Sequence, residues 1–115
     1  MSKAVNASDP KYSKLTIGVC PDQWGVWFPD DSKQMEPRRA WREMAEAGFE
    51  VIETGPYGYF PTDPEELQKW CDEYGMRVVA GTGWGVLHKQ EAWETTLETF
   101  RAIAETHAAV GAEYI

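Results

Sequence analysis

No stretch of this chain is apolar for anything near the ~20 residues a membrane-spanning helix requires, so no membrane partner is expected. Basic residues are scarce: 11 Lys and Arg stand against 19 Asp and Glu, a formal net charge of −8. Phosphate binding needs clustered Lys and Arg, so nucleic acid is excluded as an expected partner. Cysteine is limited to Cys20 and Cys71, which fall on different predicted elements and form no metal or redox spacing. Both read as reduced thiols, in keeping with a cytoplasmic protein. The opening stretch from Met1 to Lys14 lacks the apolar core of a secretory signal, and the Asn6-Ala7-Ser8 sequon is read as accidental. Low-complexity tracts and internal linkers are missing as well.

What is present is a globular composition, 43% hydrophobic over 115 residues, enough for one small domain. Residues 1–14 carry no periodicity and are expected to form a flexible leader, with a single domain over 15–115. Three times in that domain an amphipathic run stops at a glycine and an apolar run follows at once. The joins are Gly48 before Val51-Ile52-Glu53-Thr54, Gly75 before Arg77-Val78-Val79-Ala80-Gly81, and Gly111 before Glu113-Tyr114-Ile115. Glycine just past a helix supplies the left-handed C′ conformation, and the apolar run suits a buried parallel strand. This rhythm predicts an α/β fold of stacked βα units. The expectation is the N-terminal part of a (β/α)8 TIM barrel, about three βα units plus the start of a fourth strand.

The predicted elements follow. Leu15 to Cys20 is the first strand, stopped by Pro21. Pro37 opens a helix to about Ala47, with Ala40, Trp41, Met44 and Ala45 inward. The second helix has the strongest start signal: Asp63 as cap, Pro64 in the first position and Glu66 at capping-box spacing. Leu67, Trp70, Cys71 and Tyr74 then mark its buried face. A third helix spans roughly Glu91 to Ala109, with Trp93, Leu97, Phe100, Ala104 and Ala108 expected inward. The third strand, Arg77 to Thr82, is expected to pair with the strand begun at Glu113.

In parallel βα folds, ligands bind at the loops after the strand C-termini. Those loops carry Trp24, Trp27, Phe28, Tyr57, Tyr59, Phe60 and Trp84. Exposed loops rarely spend large aromatics without something to line, and ring faces beside polar groups suit a sugar or polyol. The same rings could instead cap the barrel. Glu53 stands at the end of an apolar strand, where a charge needs a function or a partner. It reads either as a group that binds a hydroxyl or takes a proton, or as one half of a salt bridge with a neighbouring strand. His88 reads as a hydrogen-bond donor or proton relay, or as the solvent-facing flank of the third helix. His107 is read as structural, suited to a helix C-terminus. Cys20 has no adjacent His to activate it and is not read as a nucleophile. Gly81 to Gly85 approaches a dinucleotide fingerprint, but its final glycine position is Val86 and it follows the third strand, so the match is rejected.

With these residues in view the chain resembles the sugar phosphate isomerase/epimerase family, a xylose isomerase-like TIM barrel, and in particular its inosose dehydratase-type members. The likeness is carried by Ile17-Gly18-Val19 with Gln23-Trp24-Gly25, by Met44-Ala45-Glu46-Ala47-Gly48-Phe49, and by Ile52-Glu53-Thr54-Gly55-Pro56-Tyr57-Gly58-Tyr59. It covers about residues 15–115. The resemblance implies proton transfer beside a carbonyl or hydroxyl, in isomerisation, epimerisation or dehydration of a sugar or cyclitol. It implies a divalent ion (Mn, Co or Zn) whose carboxylate and His ligands come from strands beyond residue 115. It carries Glu53, His88, Trp24 and Trp84 over as binding or accessory residues only. Taken with the reading of the strand-end loops, Glu53 and His88 are the candidate catalytic residues and Trp24, Tyr57, Tyr59 and Trp84 the candidate substrate-binding ones, with no metal ligand in this segment. The partners it implies are the small-molecule substrate and the rest of the barrel, with a homo-oligomer compatible. The alternative from another class is a non-catalytic βα module that binds carbohydrate or a protein partner.

Overall fold

The computed structural model describes residues 15–115, so the expected leader at 1–14 lies outside the described residues. A short strand β1 (Gly18–Val19) leads through a 3-10 turn at Pro21–Trp24 and a loop to helix α1 (Pro37–Glu46). Strand β2 (Val51–Pro56), helix α2 (Pro64–Tyr74), strand β3 (Arg77–Thr82) and helix α3 (Trp93–Ala109) follow, a 3-10 turn at Gln90–Ala92 leading into α3. The chain is α/β, and its strands form one parallel sheet in the order β1-β2-β3. Beyond β3, Ala80 bridges Tyr114 in parallel, and the Gly81 N–H donates to the Tyr114 carbonyl at 3.0 Å. The predicted pairing of the third strand with the segment at Glu113 therefore forms, and spatial order follows chain order across the sheet.

Local chemistry explains the helix limits. The Glu36 carboxylate accepts the Arg38 and Arg39 N–H groups at the start of α1, and Pro37 fills the first helical position. At α2 the Asp63 carboxylate accepts the Glu66 N–H at 3.0 Å. Such a cap contributes about 1 kcal/mol by satisfying a donor that has no partner inside the helix. The helix ends fall at Gly48, Gly75 and Gly111, whose φ angles of 96°, 66° and 84° lie in the left-handed region that side chains avoid.

Helices α1 and α2 share one layer on a face of the sheet, and α3 docks on β2 and β3 through His107, which bonds Thr54 and packs over Gly81. Val19, Ile52 and Val78, one from each strand, share a core with Trp41 and Met44 of α1 and Leu67, Trp70 and Cys71 of α2. Trp41 meets Phe60 and Trp70 edge-on at 5.0 and 5.7 Å, a geometry that adds ~0.5–1.5 kcal/mol per pair beyond area burial. Since Ile52 faces this layer and strand side chains alternate, Glu53 lies on the face that carries no helix.

Two expectations are corrected. The first strand is only Gly18–Val19, and Leu15 and Ile17 are exposed, because β1 finds partners only at Val51 and Ile52. On α3 the spacing was right and the phase was not. Thr96, Ile103, Thr106 and His107 are buried, Ala104 is half-buried and Ala108 exposed, while Trp93 and Leu97 are 49% and 55% exposed. The buried stripe is turned about one residue, ~100°, from the apolar one, because polar side chains of α3 find partners at β2 and its loop that orient the helix.

Candidate functional site

Glu53 was expected at a strand end, but β2 runs on to Pro56, so its carboxylate stands inside the strand, where it is held by its own chain. Glu53 Oε1 accepts the Gly55 N–H at 2.9 Å and the hydroxyl of Thr82, from the end of β3. A bulge between Glu53 and Pro56 makes this possible, with Gly55 at φ 67°; a Cβ there would lie 2.4 Å from Pro21 Cγ. Among the described residues Glu53 has no ion pair with a basic group. Cys20, the residue after β1, stands near Glu53. Its thiol is pushed up, foremost by burial and further by the neighbouring Glu53, while the Asp22 backbone opposes this. A neutral thiol is a poor nucleophile, in line with the sequence reading.

The aromatic residues divide into two groups. Trp27, Phe28, Tyr57 and Trp84, with Pro56 and Thr82, line a cleft of about 350 Å³ whose floor includes Thr99 and Ile103 of α3. Three loops from three strand ends build it, so no single segment could specify it. Tyr57 is fixed there: Thr106 donates its hydroxyl hydrogen to the Thr62 carbonyl at 3.0 Å, so the Tyr57 O–H donates to Thr106 Oγ1 at 3.1 Å. Trp84 is 78% exposed and forms the open rim.

The other rings serve the core. Trp24 donates its Nε1–H to Glu43 at 3.1 Å and packs edge-on against Phe49. Arg39, and then this indole N–H, hold the Glu43 carboxyl below the ordinary carboxylate range. Tyr59 is buried and donates to the Met35 carbonyl at 2.6 Å. Burial, helped by Glu36, pushes its phenol up to about 12. Phe60 is buried against Trp41. Trp24 and Tyr59, both named as substrate-binding candidates, therefore stand outside the cleft.

No protein-family model and no curated protein sequence matches this chain. The functional reading rests on the geometry. His88 is exposed, in the loop before α3, and is not among the residues lining the cleft. The structure does not bring it to Glu53. His107, read as a helix-end residue, is buried, with Nε2 2.7 Å from Thr54 Oγ1 and Nδ1 2.7 Å from the Ile103 carbonyl. A carbonyl only accepts, so Nδ1 carries the hydrogen, and in the neutral ring Thr54 donates to Nε2. Its role is structural, as expected, but it acts by docking α3 on β2. Thr82 is the site residue the sequence reading passed over. Its place at the end of β3 was the signal, although its register partner on β2 is Pro56, and Glu53 lies opposite Ala80.

Among the described residues no group of three or more His, Cys, Asp or Glu is placed to hold a metal ion. A larger groove, about 620 Å³, runs along the outer side of α3 between Leu87, Trp93, Leu97 and Phe100. It lies away from Glu53 and lacks the converging polar groups that orient a small ligand. No helix among the described residues is long and apolar enough to cross a membrane.

Proposed function

We propose that this chain supplies the first βα units of a TIM barrel acting on a sugar or cyclitol by isomerisation, epimerisation or dehydration. The observation that carries the reading is the sheet: parallel strands in unbroken chain order with α1 and α2 packed on one face. A barrel is such a sheet closed on itself. In that frame Glu53 lies on the inner face, inside β2 and below the C-terminal strand end at which barrel enzymes place their chemistry. Its anchored carboxylate serves as an acceptor for a substrate hydroxyl or as the group that takes a proton. Trp27, Tyr57 and Trp84 offer ring faces to substrate C–H surfaces. Among the described residues there is no ligand set for the divalent ion that the resemblance implies, and its ligands would come from later strands.

A second reading, a non-catalytic βα module for carbohydrate or a protein partner, is favoured by the separation of His88 from the cleft and by the cleft's largely apolar wall. Turnover by the complete protein on a panel of aldoses, ketoses and cyclitols with Mn, Co or Zn decides between them. Glu53→Gln is expected to lower turnover at least tenfold while leaving the melting temperature nearly unchanged. Earlier melting with normal turnover would make Glu53 structural, and no turnover on any panel member would favour the binding module.

A further inference from the structure

Thr82 belongs to two places at once. Its hydroxyl donates to Glu53 Oε1, and its side chain forms part of the wall of the aromatic cleft. A threonine hydroxyl has one hydrogen and two lone pairs. With the hydrogen held by a carboxylate, which can only accept, the oxygen has only acceptor capacity left for the cleft. Two other hydroxyls line the cleft, and both spend their hydrogen elsewhere, Tyr57 on Thr106 and Thr99 on the Thr95 carbonyl, so they too only accept; Trp27, Phe28, Pro56 and Trp84 add no side-chain acceptor.

We infer that Thr82 determines which ligands the cleft accepts: a ring-shaped molecule must present an O–H or N–H hydrogen to Thr82 Oγ1, and an acceptor-only analogue is discriminated against. The inference rests on the proposed use of this cleft as a ring-binding site. It extends that use to a demand on one substituent, imposed through Glu53. Removing the Glu53 carboxylate would free the Thr82 hydrogen and relax the demand, so specificity is set by a residue outside the cleft wall.

The test uses two ring probes of nearly equal size, cyclohexanol and fluorocyclohexane, titrated into the full-length protein. Shifts of the Trp27 and Trp84 indole N–H resonances are followed by NMR. The quantity read is the affinity ratio of the alcohol to the fluoride. It is expected to fall by about fivefold from wild type to Thr82→Val, the worth of one neutral hydrogen bond, and to be retained in Thr82→Ser. Glu53→Gln, whose amide oxygen can still accept the Thr82 hydrogen, is expected to retain the ratio, whereas Glu53→Ala, which frees that hydrogen, is expected to reduce it. An unchanged ratio in Thr82→Val overturns the inference and leaves the cleft reading standing. If neither probe moves either indole resonance in the wild type, the cleft reading falls and the inference with it. Should Thr82→Val fail to fold, Glu53→Ala decides: equal ratios in wild type and Glu53→Ala overturn the inference.

Discussion

Gly81 is where β3 passes beneath the ring of His107, and replacing it with alanine is the sharpest test of how α3 is docked. A Cβ built at Gly81 would lie 2.6 Å from His107 Nε2, 2.7 Å from Cε1 and 2.9 Å from Cδ2. The ring cannot retreat freely, because Nε2 is bonded to Thr54 and Nδ1 to the Ile103 carbonyl, each at 2.7 Å. Either the ring swings away and breaks the Thr54 bond, or α3 lifts from the sheet. Overpacking a core costs about 1–3 kcal/mol, and a buried polar group left without its partner costs a similar amount. Gly81→Ala should therefore destabilise the protein by roughly 2–4 kcal/mol, a fall in melting temperature on the order of 10 °C for a domain of this size. Elsewhere in a strand the same change would be neutral or favourable, since alanine loses less backbone entropy on folding, so the sign itself is diagnostic. Chemical denaturation of wild type, Gly81→Ala, His107→Ala and the double variant gives the coupling. With the ring removed, the added methyl group should cost less than ~0.5 kcal/mol. Costs that simply add, or a Gly81→Ala variant within ~0.5 kcal/mol of wild type, would refute the docking argument.

Asp63→Ala should lower stability by about 1 kcal/mol, and Asp63→Asn or Asp63→Ser should restore most of it, as measured by urea unfolding, because each replacement still accepts the Glu66 N–H. Tyr59 makes the protein alkali-sensitive. Its folded phenol titrates near 12 against an ordinary 10.0, so its contribution is fully present below pH 10 and lost as pH rises toward 12. That contribution is of order 2–3 kcal/mol, and denaturation midpoints between pH 9 and 12 should fall less steeply in Tyr59→Phe than in wild type. The 115-residue chain by itself should self-associate on size-exclusion chromatography, because Leu87, Trp93 and Leu97 are 70%, 49% and 55% exposed along one groove. Leu97→Lys should shift the profile toward monomer, and a sharp wild-type monomer peak at all concentrations would show that this face needs no cover.

Features that depend on neighbouring residues were legible in advance. The proline starts of α1 and α2, the Asp63 cap and the three glycine ends are decided within one turn of helix, so the sequence carries them completely. The buried faces of α1 and α2 were equally plain, since their apolar residues match the core they meet. On α3 the same reasoning misplaced the face. Hydrophobicity pointed to Trp93 and Leu97, but Thr96, Thr106 and His107 are buried instead. Thr106 and His107 reach Thr62, Tyr57 and Thr54, 44, 49 and 53 residues away. Periodicity sets a stripe's spacing, whereas partners distant in the chain choose which stripe is buried.

The candidate site shows the same division. Sequence alone determined that β2 carries a carboxylate among apolar residues, that aromatic residues crowd the loops after the strands, and that the strands are parallel units joined by helices, because each follows from local pattern; that β2 runs past Glu53 to Pro56 was decided by its pairing with β3. Which rings line a cleft was decided only in three dimensions. Trp24 and Tyr59 turn inward to Glu43 and Met35, while Trp27, Phe28, Tyr57 and Trp84 meet from separate loops. The partner of Glu53 was likewise a tertiary matter. A charge in an apolar strand must be satisfied, but whether by a basic residue or by the Thr82 hydroxyl depends on strand register, and here the shifts on either side of Glu53 bring it to the hydroxyl. Local sequence states what each residue needs; the packing of strands and helices decides which residue supplies it.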